Sequence, residues 1–477
     1  MSTTGAVRPP TPPRRPQPAR SKHRAPLNPA EAERFLSGVL ARAAEERRIA
    51  IVRFGVRPAP IDAITGAVRK GTSIAWCAPD EPPMVAMGTC ATIALSGPDR
   101  FRQLEPARKA LFSNLLMETH PSADHRAPRL FGGWSFARGG AEREPWEGFG
   151  DGRFFLPRWT YESGEQSGTL TAAVDLRDGW AGRSQLARTE LKTFFEAMGR
   201  PERAHVAATG LRITHADPEP YATRIQNITR AIRSGELSKV VAARRAHVSA
   251  DRDLDPWAVL RALRERYPGT WRFGLRFGAG TFIAATPERL FSKRARTIEA
   301  DALAGSIATG TPDAEAKLHA SAKDLREHTP VVDHILRRLE PLCDDLQTLG
   351  RPKIRRLPNM LHLHTRIRGQ LRSNVDVASL VETLHPTPAV GGVPSEAATA
   401  WIAANEPHPR GWYCGPVGWV DADGDAEITV ALRCGVVRGS SAWLWAGGGI
   451  VEGSEPTAEW NESALKLGPL LNAIGAV

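Results

Sequence analysis

Residues 444–466 constrain the fold more than any other stretch, because a triple glycine stands between an apolar run and a helical pattern. The apolar run predicts a strand, and residues 447–449, all glycine, would let another group approach its backbone closely. A polar turn follows, and Pro456 suits the first turn of a helix. The stretch therefore predicts a strand, a turn and a helix in close succession.

The predicted helix carries Glu459, Glu462 and Lys466 at positions i, i+3 and i+7, so the three side chains share one face. Two carboxylates at this spacing are a plausible site for Mg²⁺, which prefers oxygen ligands and completes its shell with substrate oxygens. Taken alone, the same pattern is typical of a solvated charged face.

Length and composition restrict the possible classes of protein. A chain of 477 residues corresponds to two or three domain-sized units, and 42% hydrophobic with 24% charged residues is ordinary for a globular protein. No apolar run approaches the roughly 20 residues that span a bilayer, and the N-terminus lacks the apolar core of a signal peptide. Five scattered cysteines without a CxxC pair support neither a zinc ribbon nor a disulfide framework. We therefore expect a cytoplasmic protein with no membrane partner.

The net charge of +11 invites the hypothesis that the chain binds nucleic acid. Residues 1–28 hold six basic residues, seven prolines and no acidic residue, which predicts a disordered tail. An Arg-rich, acid-free tail is also compatible with an organellar transit peptide, although it is poor in serine. Without the tail the net charge is about +5 over some 450 residues, and no basic-aromatic motif stands out. We therefore expect no nucleic-acid partner.

Helical and strand-like segments alternate in blocks rather than as regular βαβ units, which predicts an α+β fold with large antiparallel sheets flanked by helices. A polar stretch at 199–218 suggests a boundary between an N-terminal α+β subdomain, 29–218, and a second region, 219–477. Four of the predicted elements matter below. They are a helix over 99–118, a strand over 296–303 followed by a loop at 304–306, one helix over 314–339, and a hairpin of 415–420 with 427–437.

Three further features point to chemistry. Lys239 stands at the start of a largely apolar predicted strand, where a lysine is unexpected. Glu288 lies in a turn directly after another strand. Asp324 and Glu327 form a second acidic pair at i, i+3, on the predicted helix 314–339.

Seven motifs stand in order in the second half of the chain, namely LSKVVAAR (237–244), TPERLF (286–291), LAGS (303–306), KDLREH (323–328), HPTPAVGG (385–392), VALRCGVV (430–437) and AGGGIVEGSEPTAEWNESALK (446–466). They resemble the motifs of the chorismate-utilising enzymes, which include the isochorismate, salicylate, anthranilate and aminodeoxychorismate synthases. The resemblance covers residues 219–474 and is weak over 30–218. It implies the fold of that family, with two subdomains and an active site in the cleft between them.

The resemblance implies an acid and a base. Lys239 corresponds to the lysine that activates water for attack on C2 of chorismate, which requires the neutral amine that burial favours. Glu288 corresponds to the acid that protonates the departing C4 hydroxyl, and burial would keep it protonated near neutral pH.

The resemblance also implies how substrate and metal are held. Glu327 and Glu462 correspond to Mg²⁺ ligands, with Asp324 and Glu459 as direct or water-mediated partners. Arg433 would hold one substrate carboxylate in a bidentate fork, for which guanidinium is suited. The remaining predicted contacts are the charge of Lys466, donors from Gly305, Ser306 and Gly447, and a pocket wall that includes Ala389 and Val390.

The stretch 385–392 is more similar to isochorismate synthases than to the anthranilate type, which has a Pro-Ala-Gly-Thr run there. We therefore expect an Mg²⁺-dependent isochorismate synthase that acts as a monomer, without a glutaminase subunit. Salicylate synthases, which form isochorismate and then eliminate pyruvate, are the first alternative, and a synthase component of the anthranilate or aminodeoxychorismate type is the second. The menaquinone and siderophore pathways are both compatible with the sequence.

Overall fold

The structure, a computed structural model, describes residues 25–67, 71–179, 181–199, 209–215 and 218–476. The helices are α1 (Pro29–Glu45), α2 (Ile61–Ala67), α3 (Leu104–Phe112), α4 (Ala181–Met198), α5 (Pro218–Arg233), α6 (Pro256–Arg266), α7 (Ala314–Ala320), α8 (Ala322–Leu339), α9 (Val377–Leu384), α10 (Ser395–Asn405) and α11 (Pro456–Ile474). The strands before residue 250 are β1 (Ile49–Val56), β2 (Ser73–Cys77), β3 (Met84–Leu95), β4 (Leu115–Thr119), β5 (Arg129–Trp134), β6 (Gly152–Glu162), β7 (Gly168–Asp175), β8 (Arg212–His215) and β9 (Lys239–Ser249). The later strands are β10 (Trp271–Phe277), β11 (Gly280–Thr286), β12 (Arg289–Arg294), β13 (Thr297–Ala308), β14 (Cys343–Thr348), β15 (Lys353–Arg356), β16 (Met360–Leu371), β17 (Gly392–Val393), β18 (Pro416–Asp421), β19 (Ala426–Val430), β20 (Cys434–Arg438) and β21 (Ser441–Ile450).

The strands form two sheets that diverge at β6. The first sheet runs in the order β4-β1-β7-β6-β3-β2-β10-β11-β20-β21-β9, and both β8 and β17 pair with the outer edge of β9. The second sheet leaves β6 in the order β5-β18-β19-β12-β13-β16, with β14 and β15 on the outer edge of β16. Every described pair is antiparallel except β1 with β4. The predicted α+β fold with large antiparallel sheets is confirmed.

Alternating residues of the strands divide the interior into two apolar cores. One core takes residues from both sheets and from α5, α8, α9 and α10, and it contains aromatic side chains such as Trp134, Phe282 and Trp412. The other core lies on the opposite face of the first sheet, where α1, α2, α4, α6 and α11 cover it. In β1, for example, Ile51 belongs to the first core and Val52 to the second. This period-2 alternation is what a sheet covered on both faces requires.

The chain passes from one sheet to the other at two places that matter for the site. Between β11 and β12 it crosses at residues 287–288, and between β19 and β20 it crosses at residues 431–433. Both crossings lie at the end of a strand, beside the shared core. Glu288 and Arg433 stand at these two crossings.

Strands on either side of residue 218 pair with each other, as β2 does with β10 and β5 with β18. These ladders join residues of the two predicted subdomains in both sheets. The division of the chain into 29–218 and 219–477 stays a prediction. Of the predicted tail, residues 1–24 lie outside the described part, while the Asn28 side chain caps α1.

Four predicted elements were wrong at their ends. The helix expected over 99–118 is only α3, because the chain continues as β4 beside β1. The helix expected over 314–339 divides into α7 and α8 at Ser321, whose hydroxyl caps α8 by accepting from the Asp324 N–H at 3.2 Å. The expected loop at 304–306 is part of β13, and the second arm of the 415–437 hairpin is broken into β19 and β20.

The sequence analysis did not predict α6 or β14. The Asp255 side chain caps α6 by accepting from the N–H groups of Trp257 and Ala258. Among the helices that the structure describes, none combines the length and apolarity needed to cross a bilayer.

Candidate active site

A cavity opens where β9, β13 and β21 meet α8 and the two sheet crossings. It contains about 590 Å³ of space outside the protein atoms, part of it open to solvent. Its lining includes seven of the predicted site residues, namely Glu288, Ser306, Glu327, Ala389, Arg433, Gly447 and Lys466. Val390, also predicted as pocket wall, lines it as well. The structure therefore brings together motifs that are up to 178 positions apart in the sequence, from Glu288 to Lys466.

Lys239 is the first residue of β9, and its side chain is 1% exposed. The ammonium lies 3.3 Å from the Glu327 backbone oxygen and 3.5 Å from Glu327 Oε1. Burial lowers the pKa of Lys239, and the Glu327 carboxylate only partly opposes this effect. Burial thus shifts Lys239 toward its neutral form, which is the direction that the sequence predicted.

Glu288 lies at the first sheet crossing and is 2% exposed. Its backbone is fixed on both sides, since its N–H donates to Thr286 Oγ1 at 3.3 Å and its carbonyl accepts from the Val430 N–H at 3.1 Å. Burial raises the pKa of the Glu288 carboxyl to about 8, and the nearby Asp301 carboxylate adds to the shift. At neutral pH this side chain is therefore mostly a carboxylic acid that can donate a proton.

Glu327 on α8 and Glu462 on α11 are the two predicted metal ligands. Burial raises the pKa of Glu327, and the charge of Glu462 raises it further, so the two carboxylates lie close enough to repel each other. Burial alone would raise the pKa of Glu462, but Lys466, Lys323 and Arg433 hold it below its usual value. Lys466 Nζ lies 2.6 Å from Glu462 Oε1 and donates to the Gly447 carbonyl at 2.9 Å.

These carboxylates fit a divalent cation that takes its other ligands from water and from a bound substrate. Within the residues that the structure describes, no three His, Cys, Asp or Glu side chains are grouped to hold a metal by themselves. Mg²⁺ commonly binds one or two carboxylates and keeps several waters, so Glu327 and Glu462 provide enough. A positive charge between them would also relieve their mutual repulsion.

Asp324 and Glu459 occupy different surroundings from this pair. Asp324 Oδ1 accepts from the Ser306 N–H at 3.0 Å, so this carboxylate holds the strand residue that lines the cavity. Glu459 is 1% exposed and lies 2.9 Å from the ammonium of Lys323. Each of the two carboxylates already has a protein partner, as Glu462 has in Lys466, and of the four predicted ligands only Glu327 lines the cavity.

Arg433 lies at the second sheet crossing, where its φ of 48° places it in the left-handed region that non-glycine residues rarely adopt. Its guanidinium is buried against Met360 Sδ, at 3.5 and 3.6 Å, and against His362 Nε2, at 3.1 Å. In the described part of the chain no carboxylate lies within 4.0 Å of its nitrogens. Burial lowers the pKa of Arg433 to about 10, so the group is still charged at neutral pH. A buried cation that faces a cavity without a counter-ion is a site for an anion.

Gly305 and the triple glycine give room to the charged side chains. Gly305 has a φ of +77° at an irregularity in the β13–β16 ladder, and it turns Ser306 toward the cavity. A methyl group on Gly449 would stand 2.4 Å from Glu327 Oε1 and 2.7 Å from Lys239 Cε. A methyl group on Gly448 would stand 2.8 Å from Glu459 Oε2. The triple glycine therefore makes space for protein side chains as well as for a ligand.

Sequence reasoning missed His362 and Tyr413, which both line the cavity. His362 Nδ1 lies 3.0 Å from Ser306 Oγ while Nε2 faces Arg433, so the ring connects two predicted substrate contacts. Burial holds the pKa of His362 well below its usual value, which leaves the ring neutral. The alternation LHLH in β16 indicated that His362 and His364 share one face of a strand, but gave no indication of what that face contacts.

Comparisons with known proteins show the family to which the chain is similar. The family model of the chorismate binding enzymes matches residues 40–475. A salicylate biosynthesis isochorismate synthase from Pseudomonas aeruginosa is 33% identical over 417 residues, which cover 86% of this chain and 86% of that protein. The isochorismate synthase MenF of Bacillus subtilis is 32% identical over 385 residues, covering 79% of this chain and 80% of that protein.

Solved structures support the fold. The menaquinone-specific isochorismate synthase of Escherichia coli superposes with a TM-score of 0.74 at 24% identity, covering 93% of this chain and all of that one. Anthranilate synthase component I of Streptococcus pneumoniae reaches a TM-score of 0.66 at 18% identity, covering 82% of this chain and 92% of that one. Because the family model spans both sheets as well as the cavity, the chain belongs to the chorismate-binding enzymes.

Proposed function

We propose that this chain is an isochorismate synthase, an isomerase that adds water at C2 of chorismate and removes the hydroxyl at C4. One observation carries the proposal above all. Glu288 lines the cavity and Lys239 contacts Glu327, which lines it too; both are almost fully buried, and burial shifts the pKa of the lysine downward and that of the carboxyl upward. Each shift favours the protonation state that its role requires.

Lys239 would act as the base. Among the described residues its ammonium is held by Glu327, through the backbone oxygen and one carboxylate oxygen. When Glu327 holds a cation, Lys239 loses the carboxylate that favours its charged form, which moves it further toward the neutral amine. The neutral amine then takes a proton from the water that attacks C2.

Glu288 would act as the acid. It gives its proton to the C4 hydroxyl, which leaves as water while the ring double bonds shift. Water consumed at C2 and released at C4 balance, so the net reaction is an isomerisation. The lysine gains one proton and the glutamic acid loses one, and exchange with solvent resets both groups.

Substrate binding would depend on the cations around the cavity. Arg433 lines the cavity, is held in place by Met360 and His362, and would take one carboxylate. Lys466 adds positive charge beside Gly447, and Ser306 contributes its hydroxyl. Mg²⁺ bound by Glu327 and Glu462 would neutralise the second carboxylate and orient the ring.

Two relatives support water rather than ammonia as the nucleophile, because both are named isochorismate synthases and match about four-fifths or more of this chain. A synthase that uses water needs no glutaminase partner, and we propose that the chain acts as a monomer. All five cysteines are free in the structure, as expected in a reducing cytoplasm.

The experiment is a comparison of purified wild type with Lys239→Ala and Glu288→Gln, using chorismate and Mg²⁺. We expect kcat to fall by about 10²–10⁴-fold in each variant, the range for a general acid or base. KM should change much less, because neither residue is assigned to a substrate carboxylate. Near wild-type kcat in either variant would remove that residue from the mechanism.

A further inference from the structure

A second cavity, which we call the arginine pocket, lies on the other side of the active-site wall. It contains about 750 Å³ outside the protein atoms, part of it open to solvent. Its lining comes from α5, β9, β21 and the loop after α10, and the residues used below are Tyr221, Arg224, Arg244, Arg245, Glu406 and Trp445. None of its lining residues belongs to the lining of the active-site cavity.

Arg244 is the feature that points to a ligand. The residue is 4% exposed, and its Nε and Nη1 atoms are buried without a hydrogen-bond partner. Its remaining nitrogen, Nη2, reaches only the Trp460 carbonyl, at 3.4 Å. A guanidinium buried in this way is costly unless an acceptor is supplied from outside the chain.

Two further guanidinium groups reinforce the charge. Arg224 donates to the Ala243 carbonyl at 2.8 Å, and Arg245 is half-buried on the same strand as Arg244. In the described part of the chain no carboxylate lies within 4.0 Å of the nitrogens of Arg224, Arg244 or Arg245.

The acidic residue of the pocket is already engaged. Glu406 binds Arg410 through both carboxylate oxygens, at 2.6 and 2.8 Å, and also accepts from the Ala243 N–H at 3.1 Å. It therefore pairs with Arg410, and among the described residues no carboxylate is in direct contact with the other three arginines. The pocket as a whole is cationic.

The walls are mainly apolar and aromatic, which restricts the body of the ligand. Tyr221, Trp445, Pro220 and Pro407 are among its lining residues. Arg244 itself is stacked on Trp460, with its Cζ 3.6 Å from the ring centroid. A lining that combines arginines with aromatic rings is complementary to a flat ring that carries a carboxylate.

We propose that the arginine pocket is a binding site for a small aromatic carboxylate, separate from the active site. The ligand's carboxylate pairs with the arginine cluster that includes Arg244, and its ring packs against the aromatic lining residues Tyr221 and Trp445. Arg410 connects the two cavities, since it also donates to the carbonyls of Val241 and Val390 at 2.7 Å, and both residues line the active site.

The test is ligand-observed ¹⁹F NMR with 4-fluorobenzoate and the full-length chain, which needs no enzymatic activity. Arg244→Met keeps the length of the side chain and removes its charge, and Arg433→Met does the same in the active site. Arg438→Met, which changes an arginine paired with Glu147 on the surface, is the matched control. We expect Arg244→Met to weaken the affinity about tenfold or more, as the loss of a charged hydrogen bond does. Binding should persist in the other two variants.

Binding that survives Arg244→Met and disappears in Arg433→Met would place the probe in the active site and overturn the proposal. If inorganic phosphate displaces 4-fluorobenzoate at equal concentration, the pocket binds any anion, and the inference that its ligand carries an aromatic ring is wrong. If Arg244→Met fails to give a cooperative melting transition, Arg224→Met and Arg245→Met replace it. Each is expected to weaken binding, and unchanged affinity in both would refute the site.

Discussion

The change Gly449→Ala adds one methyl group at the most crowded point of the proposed site. The new carbon would stand 2.4 Å from Glu327 Oε1, 2.7 Å from Lys239 Cε and 3.1 Å from Glu327 Cδ, whereas ordinary contacts begin at 3.4 Å. Lys239 and Glu327 are both buried, so neither can turn into solvent. One or both must therefore move by about 1 Å, and a misplacement of that size in a catalytic group costs about 10²-fold in rate.

We expect kcat for Gly449→Ala to fall about 10²-fold and the free energy of unfolding to fall by about 1–3 kcal/mol, the range for overpacking a core. Steady-state kinetics and urea denaturation measure the two quantities. Gly468→Ala is the matched control, because Gly468 lies within α11 and a methyl group there meets no atom within 4 Å. That change should leave kcat unaltered and stabilise the chain by about 0.4–1 kcal/mol. Wild-type kcat in Gly449→Ala would refute the arrangement of Lys239 and Glu327 described above.

The remaining predictions concern the acid, the arginine and the metal. Because Glu288 must be protonated to act, kcat should decline as the pH rises through about 8, and the decline should be absent from the residual activity of Glu288→Gln. Between pH 4.5 and about 8 the Glu288 carboxyl is protonated in the folded chain and ionised in the unfolded chain, so the unfolding free energy of the wild type should fall with rising pH relative to that of Glu288→Gln. Urea denaturation at several pH values measures this difference, and a difference that does not change with pH would contradict the raised pKa. Arg433→Met should raise KM about 10-fold or more, because it removes charged hydrogen bonds to the substrate. It should not lower Tm, because the removed group is a buried cation without a carboxylate in direct contact. An unchanged KM would show that Arg433 does not bind the substrate. EDTA should abolish turnover and Mg²⁺ restore it, and Glu327→Gln and Glu462→Gln should each lower activity far more than Glu459→Gln, whose carboxylate is bound to Lys323; full activity in metal-free buffer would contradict the metal assignment.

Local patterns predicted the elements whose side chains alternate regularly. The sequence predicts strands over 49–56, 73–77, 84–95 and 271–277 and a helix over 377–384, and β1, β2, β3, β10 and α9 have these bounds. Ser321 shows where such reasoning fails, because a serine within a continuous helical pattern was not recognised as a cap. The prediction of one continuous hairpin arm over 427–437 failed for a different reason. The arm is broken at 431–433 because β19 and β20 pair with strands of different sheets, and no local pattern encodes those partners.

The same distinction applies to the site. Motifs shared with the family indicated Glu288 and Arg433, which line one cavity, and Lys239, which contacts Glu327 of the same lining; their roles stay predictions. They could not show that Asp324 holds the Ser306 N–H, because that contact depends on how β13 meets α8. Nor could they reveal His362, whose position depends on the register between β13 and β16.

The most direct test of the proposed function is chromatographic analysis of the products that purified chain and Mg²⁺ form from chorismate. The account predicts a mixture of chorismate and isochorismate without pyruvate, and the same mixture when isochorismate is the starting material, since exchanging one hydroxyl position leaves the two compounds close in energy. Coupling to lactate dehydrogenase and NADH measures pyruvate in the same samples. Stoichiometric NADH consumption with parallel formation of salicylate, or an aminated product that requires ammonium, would contradict the proposal.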